Sequence, residues 1–101
     1  MITYSIRKEK EDLVVEISGH SGYDDSGRDI VCATVSAMSI TIVNAIDNLG
    51  YNVRDLEKRD GYLYFRVNSE PVVNKLIITL AEQMDSLEKT YPDFVTRTGG
   101  K

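Results

Sequence analysis

Between Asp29 and Leu49 apolar residues recur at helical spacing, with Val31, Val35, Met38, Ile42, Ala45 and Leu49 on one face. In a chain of 101 residues this one helix constrains everything else, because the other segments must supply the surface that covers it. Asp29 is placed to cap its start and Gly50 to stop it. Ile30, Ala33, Ala37, Ile40, Val43 and Ile46 add apolar surface away from the main stripe, so more than one side needs cover. A second copy of the chain is the expected source, which makes a homodimer the expected state. Thr34, Ser36, Ser39, Thr41 and Asn44 interrupt the run, which favours a buried helix over a membrane span.

The segments around this helix alternate with a period of two. Ile2, Tyr4 and Ile6 alternate with Thr3, Ser5 and Arg7, and Leu13, Val15 and Ile17 follow across the polar stretch Lys8 to Asp12, which predicts a hairpin with one buried face. A second hairpin is expected from Asn52 to Glu57 and Tyr62 to Val67, joined through Lys58-Arg59-Asp60-Gly61, with Leu63, Phe65 and Val67 inward. Val73, Leu76, Ile77, Leu80, Met84 and Leu87 then mark an amphipathic helix, with Pro71 in its first turn and Pro92 beyond its end. Phe94 to Thr98 is a candidate final strand. The expected fold is α+β: a two-layer sandwich in which an antiparallel sheet of four or five strands carries two helices on one face, in the order ββαββα. The length suits one domain spanning residues 1–101.

Charge and cysteine usage narrow the function. A formal charge of −4 disfavours direct nucleic-acid binding, which needs clustered Lys and Arg. The N-terminal segment shows no apolar core of a secretory signal, and a single cysteine excludes an internal disulfide. A reducing, cytoplasmic setting with no membrane partner is therefore expected.

The chemistry is concentrated between Gly19 and Cys32, which hold the only histidine, His20, and the only cysteine, Cys32. With Asp29 as cap, Cys32 falls in the first helical turn, where unpaired N–H groups and the helix dipole favour a negative sulfur. His20 opens the loop leading to that helix, so its imidazole can reach the helix start. The two residues would suffice for acyl transfer, with helix-start N–H groups, that of Cys32 included, as oxyanion donors. Ser21, Gly22, Tyr23, Asp24, Asp25 and Ser26 form a loop with Gly22 and Gly27 as pivots, expected to move over the site. Asp29 either caps the helix or orients His20, and the geometry of the apolar run favours the cap. Ser36, one turn after Cys32, either approaches the sulfur or bonds back to the preceding turn.

Gly19-His20, Gly27, Asp29-Ile30-Val31-Cys32-Ala33 and Val35-Ser36-Ala37 together resemble the signature of the Prp family of ribosomal-processing cysteine proteases. By this resemblance His20 and Cys32 take the dyad positions, with Gly19, Gly27, Asp29 and Ser36 in support. Thr34 stands where the family usually carries Ala or Gly. The resemblance implies removal of a short N-terminal extension from a bacterial large-subunit ribosomal protein, beside an aromatic-rich motif, with no cofactor and no metal. Asp24 and Asp25 are then candidates to meet basic residues of that substrate. Two rivals remain at this level. One is a metal site built from His20, Asp24, Asp25, Asp29 and Cys32, whose spacing matches no strong metal motif. The other is a non-catalytic ribosome-associated or interaction module using a sheet face or the exposed Tyr62, Tyr64 and Arg66.

Overall fold

The computed structural model describes residues 1–25 and 28–99. Strands β1 (Ile2–Glu9) and β2 (Asp12–Ser18) form the first hairpin, and α1 (Ile30–Asn48) follows. Strands β3 (Arg54–Arg59) and β4 (Tyr62–Asn68) form the second, followed by α2 (Pro71–Thr90) and the short strand β5 (Val95–Arg97). The sheet order is β3-β4-β2-β1-β5, so the two hairpins meet through an antiparallel β2–β4 pair that sets Val15 opposite Phe65 and Ile17 opposite Leu63.

The expected α+β layering holds, with one refinement. The final strand runs parallel to β1, pairing Ile2 with Val95, so the sheet is mixed and not wholly antiparallel. After β4, α2 crosses the sheet and returns the chain to the far edge in the direction of β1. Tyr4, fully buried on β1, fixes this return: its hydroxyl lies 2.5 Å from an Asp85 oxygen and 2.9 Å from a Glu88 oxygen, which share its one proton, and Glu88 also accepts the Arg97 N–H. Burial, followed by these two carboxylates, pushes the Tyr4 hydroxyl pKa well above its usual range.

The second hairpin turns more tightly than expected. Lys58 and Arg59 belong to β3, which leaves Asp60-Gly61 alone as the turn, and the strand starts at Arg54, not Asn52. A register shift between Arg54 and Glu57, with Asp55 at φ +53°, bulges β3 away from its partner.

On the inner face Val15, Ile17, Leu63, Phe65 and Val67 pack against both helices in one core. The buried stripe of α1 is Val31, Val35, Ser39, Val43 and Ile46, which corrects the expected stripe through Met38, Ile42, Ala45 and Leu49. Steps of four drift around a straight helix, so the contact line turns as α1 crosses the twisted sheet. Met38 and Ile42 end half-buried and Leu49 exposed. Ser39 is tolerated in the core because its hydroxyl donates to the Val35 carbonyl at 2.6 Å. By length and composition α1 could cross a membrane; here its apolar stripe is packed on the sheet.

The outer face carries ion pairs. Arg66 reaches Glu9, Asp12 and the Tyr64 hydroxyl, Arg7 reaches Glu9 and Glu16, and Val14 lies fully buried on the same side of β2. Tyr62 donates to Glu16 at 2.6 Å and lies under the Arg59 guanidinium. Tyr62, Tyr64 and Arg66 are thus bonded to their neighbours and part-buried, which weakens the rival reading of them as a ready docking surface.

Ile46 has no exposed surface where α1 meets the sheet, so Ile46→Ala should cost about 2–5 kcal/mol of stability, measured as a lower midpoint in urea unfolding at unchanged slope.

Candidate active site

The start of α1 is organised by one carboxylate. Asp29 has an extended backbone, and its Oδ1 accepts the N–H groups of Val31 at 3.0 Å and Cys32 at 2.9 Å. Its other oxygen accepts the hydroxyl of Ser21, a buried pair. Burial, the largest single influence on Asp29, pushes its carboxyl up. The hydrogen bonds from Ser21 and from the N–H groups of Cys32 and Asp24 outweigh it and leave the pKa at about 2.

Cys32 is therefore a residue of the first turn, half-buried and free of any disulfide. The Ser21 N–H points at its sulfur from 3.3 Å, and the Ser21 Oγ lies 3.6 Å from the same sulfur. Ser21 so touches both the cap and the thiol.

His20 comes from the opposite wall. It follows the end of β2 through Gly19, whose φ is +100° and whose Cβ, if it had one, would fall 2.3 Å from the Met1 carbonyl oxygen; only glycine lets β2 end this close to the start of β1. The Gly19 N–H donates to the Gly61 carbonyl at 2.8 Å, tying this segment to the tip of the second hairpin. The His20 side chain is 61% exposed, and its Nε2 lies 3.7 Å from the carboxylate of Asp60, itself 97% exposed. A contact so solvated contributes little to stability.

His20, Cys32 and Ser36 line one cleft of about 140 Å³ between α1 and the β3–β4 turn, with Ile2, Ile17, Val35, Ile40 and Leu63 as its apolar lining. The same three side chains, with Gly22, Asp24, Asp29 and Asp60, line an adjoining outer recess. Among the described residues no hydrogen bond links the imidazole to the sulfur; both line the same cleft and the same recess.

Several expectations change here. Asp29 caps the helix and bonds Ser21, so the alternative of orienting His20 falls away. The Cys32 N–H is committed to that cap and is not an open oxyanion donor. Ser21, expected in a mobile loop, is buried and hydrogen-bonded at the centre of the site. Gly22, Tyr23, Asp24 and Asp25 are exposed, but Tyr23 stacks edge-on with Tyr91 and Phe94, away from the sulfur. Ser36 sits on the cleft wall, and no bond back to the preceding turn is found for it, in contrast to Thr34, Ser39 and Thr41. Ser26 and Gly27 lie outside the described residues. Asp60 and Gly61 were read only as turn formers; the pairing of β2 with β4 brings them to His20, and nothing local in the sequence signals that. Among the described residues no three His, Cys, Asp or Glu side chains gather closely enough to hold a metal.

A cysteine on the first turn of a helix, sharing a cleft with an imidazole, is the equipment of a cysteine peptidase. Comparison with known proteins narrows that class. The family model described as Cysteine protease Prp matches residues 1–96, and the chain belongs to that family. It is 30% identical to the ribosomal processing cysteine protease Prp of Bacillus subtilis, over 92% of each chain. It is 32% identical to that of Staphylococcus aureus, over 90% of this chain and 92% of the other. The crystal structure of the S. aureus essential ribosomal processing protease Prp with a covalently linked product peptide superposes with a TM-score of 0.87 at 27% identity, covering 97% of this chain and 98% of that one. The same protease with a substrate peptide gives 0.74 at 26% identity, with the same coverage.

The depressed carboxyl of Asp29 implies a pH dependence with a definite sign. A carboxylate whose folded pKa lies below its unfolded value stabilises the fold above the unfolded value of about 3.9. That contribution disappears as pH falls through about 2. Asn caps helices nearly as well as Asp, so Asp29→Asn should lower Tm by about 5 °C at neutral pH. The gap to wild type should close between pH of about 4 and about 2, read from thermal unfolding followed by circular dichroism.

Proposed function

We propose that Cys32 and His20 are a catalytic dyad that cuts a short N-terminal extension from a large-subunit ribosomal protein in the cytoplasm. One observation carries this reading: the sulfur at the capped start of α1 and the imidazole after β2 open into the same apolar-lined cleft. The substrate and product peptides of the S. aureus relative support a peptide as the occupant here too.

The imidazole takes the Cys32 thiol proton, and the thiolate attacks the scissile carbonyl carbon. The C–N bond then breaks as the imidazolium protonates the leaving amine, which leaves a thioester on Cys32. Water, deprotonated by His20, attacks the thioester carbonyl; the C–S bond breaks, and the carboxylate product leaves with Cys32 regenerated as the thiolate beside the imidazolium. With Val31 and Cys32 N–H bound to Asp29, the Ser21 N–H, which points at the sulfur from 3.3 Å, stabilises the Cys32 thiolate before it attacks.

Substrate selection follows from the walls. Ile2, Ile17, Val35, Ile40 and Leu63 offer an apolar slot for an aromatic or aliphatic side chain beside the scissile bond. Asp24 and Asp60 in the outer recess suit the basic residues of a ribosomal protein. Ser36, on the cleft wall, is the side chain to hydrogen-bond the peptide backbone, and the exposed residues Gly22 to Asp25 admit and then cover the peptide.

The test is incubation with peptides spanning an extended ribosomal-protein N-terminus, followed by mass spectrometry. Wild type should produce a single cut beside the aromatic residues, and Cys32→Ala and His20→Ala should each lose at least ~10³-fold in rate while Cys32→Ala still binds the peptide. Cleavage by either variant at the wild-type rate ends the dyad reading.

A second copy of the chain belongs to the same proposal. Ile30, at 52% exposure, sits with Ala33 and Ala37 on the outward side of α1, and a partner copy would cover that apolar side. Light scattering at micromolar concentration should return the mass of a dimer; a monomer mass removes this part.

A further inference from the structure

The tip of the β3–β4 hairpin touches the imidazole on which the proposed mechanism depends. Gly61 has φ +72°, and a Cβ built on it would fall 2.6 Å from His20 Nε2 and 3.1 Å from both Cδ2 and Cε1. Atoms do not approach that closely, so a side chain at Gly61 requires either the ring or the turn to move. The three ring atoms nearest this point are all at the Nε2 end. The Asp60 carboxylate lies beside the same nitrogen. The ring therefore rests with its Nε2 end against the turn, and the Gly61 carbonyl holds turn and ring together by accepting the Gly19 N–H one residue before His20.

We propose that Gly61 is a positioning residue: the absence of a side chain at the hairpin tip sets where the His20 ring sits, and leaves Nδ1 as the nitrogen that exchanges a proton with the Cys32 sulfur. This rests on His20 being the base. The β3–β4 hairpin is then a third wall of the active site, contributed by a part of the chain some 40 residues from His20.

Gly61 has a second reason to be glycine, its left-handed backbone, and the experiment must separate the two. Gly50 offers the control: its φ is +89°, yet a Cβ there would have nothing within 4 Å. Gly50→Ala therefore strains the backbone without touching the site. Gly61→Asn tolerates the left-handed conformation better than Gly61→Ala and still presents a Cβ to the ring. Peptide cleavage kinetics and the imidazole ¹⁵N resonances, unambiguous with a single histidine, are measured for all three variants.

Gly61→Ala and Gly61→Asn should lower kcat by about 10- to 100-fold with KM little changed, and should shift the His20 ring resonances. Gly50→Ala should lose stability while kcat and the ring resonances stay at wild-type values. A folded Gly61→Asn with wild-type kcat and unmoved resonances overturns the proposal, as does an equal loss of kcat in Gly50→Ala. Alkylation of Cys32 should move Nδ1 more than Nε2, and the reverse overturns the assignment of nitrogens. The resonances are read without substrate, so a cleavage-competent His20→Ala would refute the base while the placement result stood.

Discussion

The Asp29 carboxylate is the junction on which the site depends. It satisfies two of the N–H groups that a helix start leaves without partners, and with its remaining oxygen it holds Ser21 from the preceding loop. Helix and loop are therefore fastened at one point, and Cys32, three residues along, is held in a fixed relation to both. The charge sits where the helix dipole favours it, which is one reason it survives burial. The same carboxylate takes up the N–H groups of Val31 and Cys32, so neither is an open donor at the helix start. Capping and oxyanion binding compete for the same donors, and here the cap takes them, leaving the Ser21 N–H beside the sulfur.

The rest of the fold serves to bring distant segments to that junction. The end of β2 delivers His20, the start of α1 delivers Cys32, and the antiparallel pairing of β2 with β4 brings the Asp60-Gly61 turn to the same end of the sheet. A packed interior makes these placements mutual: Val31 and Val35, either side of Cys32 on α1, lie in the same core as Ile17 and Leu63. A shift of the helix by a fraction of a turn would disturb core and cleft together.

Much of this was legible in the residues. Alternation in Ile2 to Ile6 and Leu13 to Ile17, and helical spacing from Val31 and from Val73, report how each segment divides between inside and outside, so element order and the inner face of β4 could be read directly. Asp29 as cap and Cys32 in the first turn followed from local chemistry, since capping needs only neighbouring residues. What local pattern cannot carry is how segments far apart meet. The parallel return of β5 is decided by the path of α2 and by the bonds of Tyr4 to Asp85 and Glu88. The rotation of the buried stripe onto Ser39 and Val43 is decided by the crossing of helix and sheet. Ser21 looked like a loop residue because its two partners, Asp29 and Cys32, lie eight and eleven positions on. Gly61 looked like a turn former because the ring beside it belongs to another hairpin.

The bulge in β3 has a consequence for how the molecule behaves in company. An enzyme that handles extended peptides near the open border of its own sheet risks having that border extended indefinitely by chains like itself. Here the border strand reads Arg-Asp-Leu-Glu-Lys-Arg, almost wholly charged, and is bent out of register at Asp55. A strand so shaped presents no straight ladder of unpaired amides to a neighbour, and its charges resist stacking. The kink thus works as a guard against fibrillar self-assembly on a protein whose task keeps loose polypeptide close at hand.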